Sequence, residues 1–292
     1  MMDYITEARL TEFIKSAFEE DVGEGDHSTL ASVPPGQTGK ASLLIKEDGI
    51  IAGLEISKMI FHHYDKDLQI EFFVEEGQEV KKGEIGFTVA GHAASILTTE
   101  RLVLNCLQRM SGIATQTHRL NKIIQHTQAK LLDTRKTTPN FRMLEKWAVF
   151  IGGGKNHRYA LYDMIMLKDN HIDFAGGISN AISSTQNYLK THQLNLKVEI
   201  ETRNLEEVKE VLSIGGVDII MLDNMDESTL KKAVQMIDGR FDTEASGGID
   251  EHSIKMVAEC GVDYISVGAL THHVRSMDIS LKALKHHQQI EA

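Results

Sequence analysis

Short apolar runs separated by amphipathic segments dominate the chain beyond residue 128. The runs indicate strands that are buried on both faces, and the segments between them, such as NLEEVKEVLSIGG, have a helical pattern. Strands that alternate with helices form parallel sheets, because each parallel pair needs a crossover connection. The pattern therefore predicts an α/β barrel that is either incomplete or has a weaker strand near AVFIGG (148–153). The six clear runs are AKLLD, DMIML, LKVEI, VDIIML, FDTEA and DYISV.

The earlier part of the chain has a different pattern. From Gly39 to Gly91 short β-rich runs alternate with turns, which predicts a small antiparallel sheet. A long helical pattern follows, and Gly112 interrupts it. Because glycine weakens a helix, Gly112 marks the predicted crossing between two domains.

Charge and composition exclude several classes of protein. The formal net charge is −11, which opposes binding to nucleic acid. No stretch approaches the roughly 20 apolar residues that span a bilayer, and the acidic, amphipathic N-terminus lacks the zones of a signal peptide. The two cysteines, Cys106 and Cys260, lie in apolar helical patterns, which predicts buried thiols in a reducing cytoplasm.

Each predicted barrel strand ends in a polar residue or a glycine. These residues follow one another at intervals of 22 to 33 positions, about the length of one strand and helix. In a barrel such positions gather on one rim, where active sites lie. They are Arg135, Lys168, Glu201, Asp223, Ser246 and Gly268.

Three groups of cationic residues fall on this predicted rim. A lone basic pair is usually a solvated turn, but three groups in an acidic protein predict an anionic substrate. Arginine suits planar carboxylates, and lysine suits phosphate. The first group is Arg135 and Lys136, which follow Thr134. The second is His157 and Arg158, which GGG (152–154) would carry as a flexible loop, and the third is Lys168 and His171.

Lys168 follows four apolar residues, so we expect a buried stem and an inward ammonium group. This leaves three interpretations: a Schiff-base nucleophile, a phosphate contact, or a structural pair with Asp169 or another acid. The glycines further along the chain favour the phosphate contact.

Acids and glycines complete the predicted site. Glu199 and Glu201 share a strand face, and Asp223 either caps the next helix or joins Glu201 to hold sugar hydroxyls or Mg²⁺. Glycines in SGGI (246–249) and VGAL (267–270) predict a phosphate cradle. Neither a Rossmann fingerprint nor a Walker loop is present.

Together these strings resemble the quinolinate phosphoribosyltransferase family, over roughly Gly39 to His272. Eight strings in the right order carry the resemblance: TTER, DTRKTTP, GGGKNHR, LKDNH, VEIE, IMLDN, EASGGI and ISVGALTH. Asn140 is one departure, since relatives usually have glycine there. Asparagine tolerates the left-handed backbone region, so we expect the turn to survive.

The resemblance implies an α/β fold with an N-terminal α/β sandwich domain over 1–112 and an incomplete parallel α/β-barrel domain over 113–275. A C-terminal helix over 276–292 would pack on the first domain. The implied protein is a homodimer with shared sites, and assembly into a hexamer is left open. It would use quinolinate and phosphoribosyl pyrophosphate, with Mg²⁺ carried mainly by the pyrophosphate and no protein residue assigned as a metal ligand.

The resemblance also implies a role for each site residue. The partner chain's Arg101, with Arg135, His157 and Arg158, would hold the quinolinate carboxylates. Lys136 and Lys168 would lie between the two substrates, and Glu201 and Asp223 would face the ribose. Further substrate contacts are assigned to Thr134, His171, Ser246, Gly247, Gly248, Gly268, Ala269 and His272.

Three other functions stay open at this point. The first is a related phosphoribosyltransferase-like protein linked to molybdate uptake. The second is a Schiff-base aldolase that uses Lys168. The third is a barrel that binds or senses phosphate without catalysis.

Overall fold

The computed structural model describes residues 3–284. The helices are α1 Glu7–Asp21, α2 His27–Ser32, α3 Leu54–Tyr64, α4 Ala93–Ile124, α5 Arg142–Ile151, α6 Asp169–Ala175, α7 Ile178–His192, α8 Leu205–Ile214, α9 Glu227–Ile237, α10 Ile254–Glu259 and α11 Ala269–His272. The strands are β1 Thr38–Ile45, β2 Gly49–Ile50, β3 Gln69–Phe72, β4 Glu79–Val80, β5 Ile85–His92, β6 Lys130–Leu132, β7 Ile165–Leu167, β8 Val198–Thr202, β9 Ile219–Asp223, β10 Asp242–Ser246, β11 Tyr264–Ser266 and β12 Ile279–Ala283.

The chain divides into two compact units. Among the described residues, unit 1 contains 3–118, 137–153 and 273–284. Unit 2 contains residues 119–136 and 154–272. No helix within residues 3–284 combines the length and the apolar character that a membrane crossing requires.

Unit 1 is built around an antiparallel sheet in the order β12-β1-β5-β3. This confirms the antiparallel sheet predicted between residues 39 and 91. Ala41 of β1 lies opposite Val89 of β5 on one side and Ala283 of β12 on the other. The last described strand of the chain therefore pairs with the first.

The predicted C-terminal helix over 276–292 is wrong for the part that the structure describes, since residues Ile279–Ala283 form β12. Met277, Ile279 and Leu281 are buried at every second position, which is the period of a strand. Pairing with β1 then stabilises this segment as a strand. Residues 285–292 of the prediction lie outside the described residues.

Glycines explain two further departures from the sequence predictions for unit 1. Helix α4 runs unbroken through Gly112, where a Cβ atom would lie 2.3 Å from the Arg275 carbonyl oxygen. At Gly152 a Cβ atom would lie 2.4 Å from the Ala114 carbonyl oxygen. Both positions therefore require glycine because of close packing. For Gly152 this replaces the predicted reason, which was flexibility of the GGG segment. The expected left-handed turn at Asn140 is confirmed by its φ of 62°.

Unit 2 contains a six-stranded parallel sheet in the order β6-β11-β10-β9-β8-β7. All six predicted strands are present, so the expected parallel α/β architecture is confirmed. The sheet is open between β6 and β7, because the chain between them contributes residues 137–153, with helix α5, to unit 1. The weaker strand considered near AVFIGG is wrong, since this segment forms the end of α5. The result is an incomplete barrel.

Candidate active site

A cavity of about 830 Å³ opens at the carboxyl ends of the parallel strands in unit 2. Every strand of the sheet supplies lining residues, either from its last positions or from the loop that follows it. Most of the predicted site residues meet there: Thr134, Arg135, Lys136, His157, Arg158, Lys168, Glu201, Asp223, Ser246, Gly247, Gly248, Gly268, Ala269 and His272. The structure thus brings members of all three cationic groups together, although His171 of the third group is not among them, and their contacts with substrate stay predictions.

Arg158 and Arg135 make the cavity strongly cationic. Arg158 is 9% exposed, and its Nη1 donates to the Met164 carbonyl at 3.2 Å. Burial, followed by repulsion from Arg135, lowers the pKa of Arg158 from its ordinary value. Two guanidinium groups that line one cavity and repel each other favour an anionic ligand there.

Lys168 and Glu201 form an ion pair in this cavity. Lys168 Nζ lies 3.4 Å from Glu201 Oε1, and Glu201 Oε2 accepts a hydrogen bond from the Asp169 amide at 3.0 Å. The expected buried stem is wrong, because the Lys168 side chain is 46% exposed. A Schiff-base lysine is activated by burial in apolar surroundings, so this geometry does not favour the aldolase interpretation.

Asn224 links Asp223 to the segment SGGI (246–249). Its side-chain amide donates to Asp223 Oδ2 at 2.7 Å, and its backbone amide donates to the Ser246 carbonyl at 2.9 Å. Gly247 has a φ of +103°, and a Cβ atom there would lie 2.2 Å from Asn224 Oδ1. The capping interpretation of Asp223 is wrong, because Asp226 caps helix α9. Asp223 therefore remains available to a ligand.

The second glycine segment contacts Lys136. The Thr271 hydroxyl donates to the Lys136 carbonyl at 2.7 Å. A Cβ atom at Gly268 would lie 2.9 Å from His272 Nε2 and 3.0 Å from Lys136 Cδ. Glycine at this position therefore leaves room for the Lys136 side chain, predicted to lie between the two substrates, and for the His272 side chain, predicted to lie near phosphate.

Arg101 and His171 are not among the lining residues of this cavity. Arg101 is exposed on helix α4. His171 is exposed in the first turn of α6, where its Nδ1 accepts a hydrogen bond from the Lys168 amide at 3.0 Å. The structure thus gives His171 a role at the start of a helix, and its predicted substrate contact has no support from this geometry.

A buried cluster at the cavity contains a residue that sequence analysis missed. His157 Nε2 lies 2.8 Å from Glu199 Oε2 and 3.5 Å from Glu244 Oε2. Glu244 lines the cavity although it is 0% exposed. Burial raises the pKa of Glu244 to about 8 and that of Glu199 to about 7. The sequence did contain a signal for Glu244, since it is a glutamate inside a predicted strand, FDTEAS, as Glu199 is in VEIE.

Two family models cover nearly the whole chain. The N-terminal domain of quinolinate phosphoribosyl transferase matches residues 26–111. The C-terminal domain of the same family matches residues 113–282.

Individual relatives agree with these matches. Tobacco (Nicotiana tabacum) quinolinate phosphoribosyltransferase [decarboxylating] 2b, mitochondrial, is 47% identical over 288 residues, which cover 94% of this chain and 82% of that protein. The probable nicotinate-nucleotide pyrophosphorylase [carboxylating] of Bacillus subtilis is 41% identical and covers 97% of this chain and 96% of its own. The crystal structure of NadC from Streptococcus pyogenes has a TM-score of 0.90 at 38% identity, covering 98% of this chain and 100% of that one. The chain therefore belongs to the quinolinate phosphoribosyltransferase family.

Proposed function

We propose that this protein transfers a phosphoribosyl group from phosphoribosyl pyrophosphate to quinolinate, releasing pyrophosphate and carbon dioxide and forming nicotinate mononucleotide for NAD biosynthesis. The convergence of Arg135, Lys136, Arg158 and Lys168 in one cavity of a chain with net charge −11 carries the proposal. Both substrates are polyanions, so this local excess of positive charge matches them.

Basic residues of the cavity would bind the two substrates, and acidic residues would stabilise the sugar during transfer. The two arginines suit the quinolinate carboxylates, while Lys136 and Lys168 suit the space between the two substrates. The quinolinate nitrogen attacks the anomeric carbon, and the bond to pyrophosphate breaks. Glu201 and Asp223, which face the cavity, would stabilise the cation-like sugar. The alkylated ring then accepts the electron pair of the breaking carbon–carboxylate bond as carbon dioxide leaves, and the same carbon takes up a proton from water.

Mg²⁺ belongs to the substrate in this proposal. It would enter bound to the pyrophosphate and neutralise charge on the leaving group. Within residues 3–284, His157, Glu199 and Glu244 are the group whose spacing would suit an ion held by protein alone. His157 Nδ1 accepts a hydrogen bond from the Arg158 amide, so Nε2 carries the ring proton and has no lone pair for a metal, and we assign no protein ligand.

A direct assay tests the activity. Purified protein with quinolinate, phosphoribosyl pyrophosphate and Mg²⁺ should release carbon dioxide and form nicotinate mononucleotide. Lys136→Ala and Glu201→Ala should each lower turnover by about 100-fold or more, as losses of preorganised charged groups do. Lys190→Ala, on the exposed face of α7, is the matched control. Near-normal turnover in either site variant would refute its assigned role, and no carbon dioxide from the wild type would favour the protein linked to molybdate uptake.

The remaining two interpretations have their own tests. Borohydride should trap no adduct between Lys168 and a carbonyl substrate, and a trapped adduct would support the aldolase. A barrel that only senses phosphate should bind both substrates without turnover.

We also propose a homodimer in which the partner's Arg101 completes each site, with assembly into hexamers left open. Arg101→Ala and Lys136→Ala chains, each inactive alone, should regain activity when mixed, because one site of the heterodimer then has both residues. No recovery after confirmed subunit exchange would place the whole site within one chain. Sedimentation of the wild type would distinguish dimers from hexamers.

A cytoplasmic location completes the proposal. Cys106 and Cys260 are buried free thiols, which fit a reducing compartment. Plant relatives are described as mitochondrial or chloroplastic, so imaging of the tagged full-length chain in its own cell is the test. A signal confined to an organelle would overturn the assignment.

A further inference from the structure

Three ionisable side chains pack together in unit 2 without access to solvent. The His157 side chain is 7% exposed, and those of Glu199 and Glu244 are 0% exposed. One atom from each lies within 4.8 Å of the others. Groups of this kind are costly to bury unless hydrogen bonds or opposite charges compensate, so their arrangement needs an explanation.

The backbone determines which nitrogen of His157 carries the proton. The Arg158 amide donates to His157 Nδ1 at 2.7 Å. Because a backbone amide can only donate, Nδ1 must accept and cannot hold a proton. The proton of the ring therefore lies on Nε2, which donates to Glu199 Oε2 at 2.8 Å.

Three carboxyl oxygens of this cluster accept no well-formed hydrogen bond among the described residues, although the Ser266 hydroxyl lies near Glu244. They are Glu199 Oε1 and both oxygens of Glu244. If both carboxyls were ionised, two buried like charges would lie together with unsatisfied oxygens. One proton held by Glu244 and shared with Glu199 removes a charge and provides the missing donor.

The charged neighbours agree with this assignment. Glu199 faces Arg158, Lys168 and Glu201, and the first two stabilise its ionised form. Around Glu244, burial raises the pKa most, the charge of Glu199 raises it further, and His157 and the Ser266 hydroxyl lower it; no arginine or lysine is among these neighbours. Burial raises the pKa of both carboxyls, and only Glu199 has an arginine and a lysine as neighbours that oppose this. The proton therefore resides mainly on Glu244.

The same hydrogen bonds argue against a metal ion. A histidine that binds a metal through Nε2 needs a lone pair there, and its Nδ1–H usually donates to a neighbour. In this cluster Nδ1 accepts a hydrogen bond instead, so Nε2 carries the proton and has no lone pair to offer.

We propose that Glu199 and Glu244 are positioning residues that share one proton, hold the His157 ring in its Nε2–H form and thereby hold the backbone of Arg158 at the cavity. This inference rests on the proposed function, because Arg158 is assigned there to a quinolinate carboxylate. Disruption of the cluster should displace Arg158 and weaken quinolinate binding. Binding of phosphoribosyl pyrophosphate should change little.

Spectroscopy on the protein without substrate tests the hydrogen-bond chain even if the proposed reaction fails. In ¹⁵N-histidine NMR, the signal lost in His157→Gln should be that of a neutral ring protonated at Nε2. In infrared difference spectra, Glu244→Gln should remove the band of a protonated buried carboxyl. A ring protonated at Nδ1, no such carboxyl band, or a stoichiometric divalent metal in the purified protein would overturn the proposal.

Kinetics then test the consequence for the reaction. Glu199→Ala and Glu244→Leu should raise KM for quinolinate about 10- to 100-fold, as loss of supporting partners does at other sites. KM for phosphoribosyl pyrophosphate should stay within about threefold of the wild type. Glu244→Gln should restore most of what Glu244→Leu loses, because an amide donates where the acid did. Exposed Glu210→Gln on α8 is the matched control.

Two outcomes would contradict the positioning role. One is an unchanged KM for quinolinate in a folded Glu199→Ala protein. The other is a Glu244→Gln protein as impaired as Glu244→Leu, since the amide keeps the donor. If Glu244→Leu does not fold, Glu199→Ala and the infrared band of the wild type still decide the question.

Discussion

Replacing Glu244 with glutamine should remove a loss of stability that the wild-type protein undergoes as pH rises. The folded protein keeps a proton on Glu244 up to a pKa of about 8, whereas the ordinary value is 4.5. Between these values the unfolded chain has released the proton and the folded chain has not. Folding therefore takes up a proton in this window, and the free energy of unfolding falls as pH increases. Glutamine has no proton to release and has nearly the same shape.

The structure sets the size of the effect. A shift from 4.5 to about 8, at about 1.4 kcal/mol for each unit, gives a ceiling of about 5 kcal/mol above pH 8. Below pH 4.5 the difference between the two proteins should not depend on pH. Between pH 5.5 and 7.5 the glutamine variant should gain up to about 3 kcal/mol relative to the wild type.

Urea unfolding followed by circular dichroism at half-unit steps from pH 5 to 8.5 would measure this difference. Two parallel curves would refute the reasoning, because they would mean that Glu244 ionises equally in the folded and unfolded protein. A variant that loses stability relative to the wild type as pH rises would have the wrong sign and would refute it as well.

Other predictions concern close packing and buried charge. Gly247→Ala should destabilise the protein by about 2 kcal/mol or more and lower activity, because the new methyl group meets Asn224 at a left-handed backbone position; melting temperature and turnover are the measurements. Gly112→Ala should cost about 2 to 4 kcal/mol, since its methyl group overlaps a backbone carbonyl, and urea unfolding at neutral pH would show it. Arg109→Met should cost about 3 to 5 kcal/mol, because it leaves the buried Glu145 carboxylate without its ion pair. A double variant that also carries Glu145→Leu should recover part of this loss in thermal melts. Equal melting temperatures for the single and double variants would contradict this explanation.

The sequence predicted unit 2 well because its strands are buried on both faces. Such strands are continuous apolar runs, and the polar residues that follow them mark the rim where the cavity lies. The cationic residues and Asp223 were found for this reason. The exposure of Lys168 was not predicted, because the four apolar residues before it predict a buried strand but not the direction of the long lysine side chain.

Long-range contacts account for most of the errors. The sequence predicts a helix where β12 forms, although Met277, Ile279 and Leu281 alternate with more polar residues. The prediction is wrong because the partner strand, β1, lies far away in the sequence. Gly112 looked like a break because the segment that packs on it is equally remote. Glu244 was missed since its neighbour Glu199 lies two strands away, across β9.

The pairing of β12 with β1 has a consequence for how the protein is made. During synthesis β1 leaves the ribosome about 240 residues before its partner, whereas the last residue of unit 2, His272, emerges before β12 begins. The parallel sheet can thus fold while one edge of the N-terminal sheet still awaits its strand. An uncovered edge readily pairs with another chain, so the newly made protein is most vulnerable to aggregation until β12 has emerged.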